Sequence, residues 1–139
     1  MKLLNKLLGN AGEHYVAFQL ARMGINPALL SENSKGVDIL ATDDGKNLIS
    51  IQVKTSAGRN ASRQWDVGKH CPNSSKNFFF VFLNLWDDSQ KEVECFIVPS
   101  EYVAHKVNWE DDRPQLRLSK KDAALFQNNW ELIKDVFVK

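Results

Sequence analysis

The chain has 139 residues, a net charge of +1, 43% hydrophobic and 25% charged residues. These values describe an ordinary water-soluble domain with enough chain to bury a core unaided, so one domain over residues 1–139 is expected. Cys71 and Cys95 form no CxxC pair, which argues against a disulfide framework or structural zinc and fits a reducing, cytoplasmic setting.

The N-terminal "MKLLNKLLGNAGEHY" is too short and interrupted in its apolar run for a signal peptide. No apolar run approaches the roughly 18 residues of a membrane span, so no membrane partner is expected. Residues 1–82 carry 10 Lys/Arg against 6 Asp/Glu, and residues 83–139 carry 8 against 11. A mildly basic first part is compatible with a phosphate backbone but is not a strong footprint.

Helical spacing over "AGEHYVAFQLARMG" predicts a helix at 11–24, stopped by Gly24, with an extra turn or short helix over 3–8. A short strand is expected after Pro27. Residues 37–42 and 48–54 alternate as two strands about the turn signal "DDGK". Residues 57–77 lack periodicity and read as a long loop with room for one short helix. "FFFVFL" and "KEVECFIVP" are strands with a hairpin-length link between them. A short helix at "PSEYVAHKV" and a brief strand at "PQLRLS" follow. Ser119 and Asp122 form a capping-box pattern before a helical segment running through Trp130, Leu132 and Ile133. The order predicts a mixed α/β domain, a central sheet flanked by helices.

Several polar residues break this pattern. Glu13 falls within the apolar stripe of the first helix, where a carboxylate needs a partner. Its other reading is a first-turn residue attracted to the helix N-terminus. On the strands, Asp38 is expected to share a face with Gln52 and Lys54 while the apolar sets lie together opposite. That requires Asp38 to oppose Gln52, and Leu40 to oppose Ser50, so a connection over 44–46 or a bulge is expected. Asp38, Glu13, the Gln52 amide and the Val53 backbone carbonyl are hard oxygen donors suited to Mg²⁺ or Mn²⁺. Such an ion polarises a phosphoryl oxygen and lowers the pKa of a water, and Lys54 can orient that water. A plain Asp38–Lys54 ion pair serving packing is the alternative. Arg59, Arg63 and Lys69 flank the set and could meet phosphates, unless they belong to a solvated loop. Ser56 joins the same face only if the second strand continues past Lys54.

Gly-Val-Asp-Ile at 36–39 followed by Gln-Val-Lys at 52–54 resembles the PD-(D/E)XK nuclease superfamily, in its Holliday-junction-resolvase-like and Mrr-type members. Glu13 in "GNAGEHYVAFQLARMG" matches the family's helix glutamate, Asp38 its strand aspartate and Lys54 its lysine, while Gln52 stands in place of the second acid. The resemblance covers about residues 9–56. It implies a restriction-endonuclease-like fold and a divalent-metal-dependent nuclease, with catalytic Glu13, Asp38, Gln52 and Lys54, acting on nucleic acid, DNA first. A homodimer or a partner subunit is compatible with it. Gln52 removes one negative charge from the metal set, so the competing expectation is a catalytically inactive nucleic-acid- or protein-binding module in a defence or repair assembly. The family's helix after the lysine strand has no visible counterpart in residues 57–77.

Overall fold

Alternating apolar residues divide the central sheet into two faces, and each face is covered by its own set of elements. The structure, a computed structural model, describes residues 5–31, 36–43, 45–58 and 60–138. The order is α1 (Asn5–Arg22), β1 (Asn26–Leu29), β2 (Ile39–Thr42), β3 (Leu48–Ser56), β4 (Gln64–Asp66), β5 (Phe78–Asn84), β6 (Glu94–Pro99), α2 (Ser100–Lys106), β7 (Gln115–Arg117), α3 (Lys120–Phe126) and α4 (Glu131–Phe137). Five strands form a mixed sheet in the order β1-β2-β3-β5-β6, parallel only between β3 and β5. β4 and β7 form a separate antiparallel ribbon.

On one face, Ile39, Ala41, Ile49, Ile51, Val81 and Ile97 pack with Val16 and Leu20 of α1 and Ile133 of α4. On the other, Phe80, Phe82, Phe96 and Val98 pack with Trp65 and Leu116 of the ribbon, Val103 of α2 and Phe126 of α3. The nearly continuous apolar run of β5 follows from this double cover. Pro27 is tolerated because β1 is an edge strand paired only with β2.

The sequence placed most elements, with informative differences. The first helix starts by Asn5, so residues 5–8 belong to α1 and Glu13 lies well past the first turn. Residues 3 and 4 of the expected extra turn lie outside the described residues. The expected C-terminal helix is broken in two. Asn128 adopts a left-handed φ of 53°, and its N–H donates to the Cys95 carbonyl of β6 at 2.8 Å. That capture turns the chain between α3 and α4. Ser119 does cap α3, accepting from the Asp122 N–H at 3.1 Å.

The largest difference is the crossover. β3 and β5 are parallel neighbours, and such a connection is usually helical. Here residues 57–77 make the crossing with only the short strand β4, and no helix forms there among the described residues. The glycines, asparagines and serines of this stretch favour turns over helix. β4 finds its partner in β7, far along the chain.

Candidate active site

The β2–β3 ladder has the register that the polar pattern required, as far as Ile39. Leu40 opposes Ser50, Ile39 opposes Ile51 and Thr42 opposes Leu48. The ladder stops at Thr42, so the connection is longer than the expected three residues. Thr42 Oγ1 closes it by accepting from the Gly45 N–H at 2.8 Å. Asp44 lies outside the described residues. With this register, Gln52 and Lys54 lie on the face of Phe80 and Phe82, their lateral partners on β5.

At Asp38 the strands part. The next pair in step would set Asp38 against Gln52, as the sequence pattern required, but the ladder ends at Ile39 and Ile51. Instead, the Asp38 N–H bonds to the Ile51 carbonyl at 2.9 Å, one residue out of step. The Asp38 carboxylate then takes the Val53 N–H at 2.7 Å through Oδ2. The side chain thus replaces a main-chain acceptor where β2 leaves β3. Beyond Ile51, β3 has no strand partner on this edge among the described residues, while it stays paired with β5 through Ser56. A residue's N–H and carbonyl point to the same side of a strand. The Val53 carbonyl is therefore also directed to the edge that carries Asp38.

Gln52 sits between two partners. With its amide turned to satisfy both, nitrogen donates to the Gly36 carbonyl at 3.2 Å and oxygen accepts from Lys54 Nζ at 3.1 Å. Burial raises the Asp38 pKa above the ordinary 3.8, against the Val53 N–H and the Lys54 ammonium, which lower it. Burial likewise lowers the Lys54 pKa below 10.5, against Asp38 and then Asp66. Each charge is thus partly stripped of water and incompletely repaid by the other. Such mutually strained groups concentrate at functional sites.

Glu13 arrives from the opposite face. At 100° per residue, the buried Gly12, Val16 and Leu20 centre α1 on Val16, and Glu13 lies about 60° to one side. It is half-buried at the border of the stripe, not in its middle. The first-turn reading of Glu13 does not survive, because α1 begins eight residues earlier at Asn5. Its neighbour Gly12 rests on β3: a Cβ there would run into the Thr55 side chain and stand 3.2 Å from Leu83 Cδ1. α1 therefore meets β3 at Thr55, beside Lys54 in sequence but on the other face. Among the described residues, no three of His, Cys, Asp and Glu gather around one point. What the structure does bring together is the Asp38 carboxylate with the Val53 N–H, and the Gln52 amide with Lys54.

The flanking residues divide. Ser56 is in β3, and its hydroxyl donates to the Leu83 carbonyl at 3.4 Å and accepts from Asn60 Nδ2 at 2.9 Å. Arg63 is held by Glu94 at 2.9 Å and lies over the Phe96 ring. Glu94 also accepts from the buried Asn84. This network ties the crossover segment to the end of the sheet. Lys69 is exposed. Arg59 lies outside the described residues. Sequence reasoning missed Asp66, whose charge acts on Lys54 from β4. No periodic signal in residues 57–77 could have placed it.

No family model matches the sequence, and no curated protein matches it. Solved structures do match the fold. The bacterial homing endonuclease I-Ssp6803I is 15% identical, with a TM-score of 0.66 over 96% of this chain and 94% of that one. The Holliday junction resolvase Hjc of Archaeoglobus fulgidus is 12% identical, with a TM-score of 0.53 over 90% of this chain and 98% of that one. The fold is therefore restriction-endonuclease-like, the architecture that the motif resemblance implied. No helix among the described residues is long and apolar enough to cross a membrane.

Proposed function

We propose that this chain is a divalent-metal-dependent nuclease that hydrolyses phosphodiester bonds in DNA. The observation that carries the reading is the Asp38 carboxylate bound to the Val53 N–H where β2 leaves β3, close enough to Lys54 for the two charges to act on each other, with Gln52 held against Lys54. The two similar structures are nucleases by their names, which supports the reaction class.

The residues fit a hard cation. Asp38 uses one oxygen for Val53 and keeps Oδ1. The Gln52 oxygen has a second lone pair beyond Lys54. The Val53 carbonyl faces the same edge. A cation would relieve the half-buried Asp38 charge that burial now disfavours. Asp38, Gln52 and the Val53 carbonyl would hold Mg²⁺ or Mn²⁺, with Glu13 as the remaining acid reaching in from α1. Bound there, the ion would supply Lewis-acid polarisation of a phosphoryl oxygen and a more acidic water. Lys54 would position that water and counter the charge gathering on phosphorus. Gln52, held between Gly36 and Lys54, fixes the Lys54 head group.

Purified protein is expected to cut plasmid, branched or single-stranded DNA with Mg²⁺ or Mn²⁺, and to stop on chelation. Lys54→Ala should abolish cutting without loss of fold. Undiminished cutting by that variant rejects the site.

A second reading, a binding module that does not cut, is favoured by one feature. Gln52 supplies no charge where the resembled family has an acid. Calorimetric titration with Mn²⁺ separates the two. Binding that vanishes in Asp38→Asn supports the enzyme, and no binding at millimolar metal supports the module.

A further inference from the structure

The ribbon of β4 and β7 is fastened above the Lys54 face. Trp65 packs on Phe82 at 5.1 Å between ring centroids, and its indole N–H donates to the Leu83 carbonyl at 2.9 Å. Phe82 is the lateral neighbour of Lys54 in the sheet. Trp65 and its partner Leu116 point inward and are buried. By alternation, Gln64, Asp66, Gln115 and Arg117 all point outward.

These outward side chains are organised. Gln64 Nε2 donates to Gln115 Oε1. Gln115 Nε2 donates to Asp66 Oδ1 at 2.6 Å, and Arg113 reaches Asp66 Oδ2 at 3.5 Å. The stretch from Arg113 to Lys121 carries four basic residues and no acidic one. Arg117 and Lys120 also line an adjoining cleft with Ser62 and Ser119. The strip presents two amides, joined to each other and to Asp66, and a guanidinium, all of which would exchange these partners for base edges on binding. A purely structural ribbon needs only Trp65 and Leu116.

We propose that the outward face of the β4–β7 ribbon reads base edges in the major groove of duplex DNA, through Gln64, Gln115 and Arg117. The B-form major groove, about 12 Å wide, admits a two-stranded ribbon. Alternate residues on a strand are about 7 Å apart, two base-pair steps, so the ribbon spans two or three base pairs. Arg117 suits the O6/N7 edge of guanine, and the glutamines suit the N6/N7 edge of adenine. Asp66 is compatible with a groove because Arg113 pairs with it, and it can accept from cytosine N4. Groove dimensions favour duplex DNA over duplex RNA, whose A-form major groove is too narrow to enter. The inference rests on the nuclease reading for the position of the backbone near Lys54.

The test selects duplexes from a randomised library with the full chain in EDTA, so that binding is read without cutting. The bound pool should show a preference confined to two or three adjacent base pairs. Arg117→Lys keeps the charge but loses the planar fork. It should flatten the preference at one position by roughly five- to a hundredfold, with little change in overall affinity. Gln115→Ala should flatten a neighbouring position. Melting curves check that both variants fold. An unchanged preference in Arg117→Lys overturns the proposal, as does a loss that is equal for every sequence, which marks a phosphate contact. Tighter binding of an RNA duplex overturns it too. Asp38→Asn should lose cleavage and keep the preference, whereas a chain that never cuts but shows the Arg117-dependent preference would reject the nuclease reading alone. The two readings therefore fail separately.

Discussion

Replacing Asp38 and Lys54 together, as Asp38→Asn with Lys54→Met, should stabilise the protein while ending any catalysis. Burial is the leading influence on both groups, and it disfavours both charges. An asparagine in place of Asp38 keeps an acceptor for the Val53 N–H, so the 2.7 Å hydrogen bond has a successor. A methionine in place of Lys54 keeps an apolar stem over the sheet. Gln52 loses its Lys54 donor but is only half-buried, so water can replace it. Exchanging a fully buried ion pair for neutral groups gains up to about 4 kcal/mol. For this half-buried pair about 1 kcal/mol is expected, or a rise of roughly 3 °C in Tm for a domain of this size. The pH dependence carries the stronger check. Asp38 has a raised folded pKa, so its penalty is complete above that value and fades as pH falls through it toward 3.8. Lys54 has a lowered folded pKa, so its penalty is complete below that value and fades as pH rises through it toward 10.5. The stability gap between variant and wild type should therefore be widest near neutrality and narrow at both ends. Urea denaturation across pH measures it. A variant less stable than wild type by about 1 kcal/mol at neutral pH would refute the reasoning, as would a gap that widens toward acid.

Gly12→Ala should destabilise the protein by about 1–3 kcal/mol despite its better helix propensity, because the new Cβ meets the Thr55 side chain; adding Thr55→Ala should recover part of that loss in a double-mutant cycle read by urea denaturation. Arg63→Ala should lower stability by about 1–3 kcal/mol, since it leaves Glu94 partly buried and unpaired. It should leave the salt slope of DNA binding nearly unchanged; a slope reduced by about one unit would instead make Arg63 a phosphate contact. Gln52→Glu should tighten Mn²⁺ binding measured by calorimetry, because it adds a charge to the oxygen set. It should also lower metal-free stability, because the Gly36 carbonyl loses its donor; unchanged metal affinity would remove residue 52 from the set.

The site was legible where side chains had to choose a face of a strand. Asp38, Gln52 and Lys54 could share a face only with Leu40 opposite Ser50, and that pairing is present. Period-two alternation is unforgiving, since one step of slip would turn Ile39 and Ile51 out of the core. The helix was less legible. Glu13 looked central because Ala17 and Leu20 suggested a stripe, whereas Gly12 and Val16 set the buried line. A glycine carries no hydrophobic signal, yet its missing side chain lets α1 approach Thr55. Long-range pairing was out of reach altogether. β4 holds three residues and gains its identity only from β7. Asp66 and Arg63 therefore could not be sorted, although they differ sharply: Asp66 acts on Lys54, and Arg63 is bound into the Glu94 network.

The helix-free crossover bears on how a polymer could approach Lys54. A helix between β3 and β5 would cover the sheet with a continuous apolar stripe and bury its neighbours deeply. Here the crossover's share of that covering falls to one indole, Trp65 against Phe82 and Phe96, while Leu116, α2 and α3 cover the rest. A three-residue strand with one inward side chain leaves its other two facing outward. The small size of the anchor is thus what sets Gln64 and Asp66 outward above the same face as Lys54. Lys54 is half-buried under this arrangement, not sealed. Burial enough to lower the Lys54 pKa, together with partial exposure of its side chain, accompanies a crossover that packs a ribbon in place of a helix on this face.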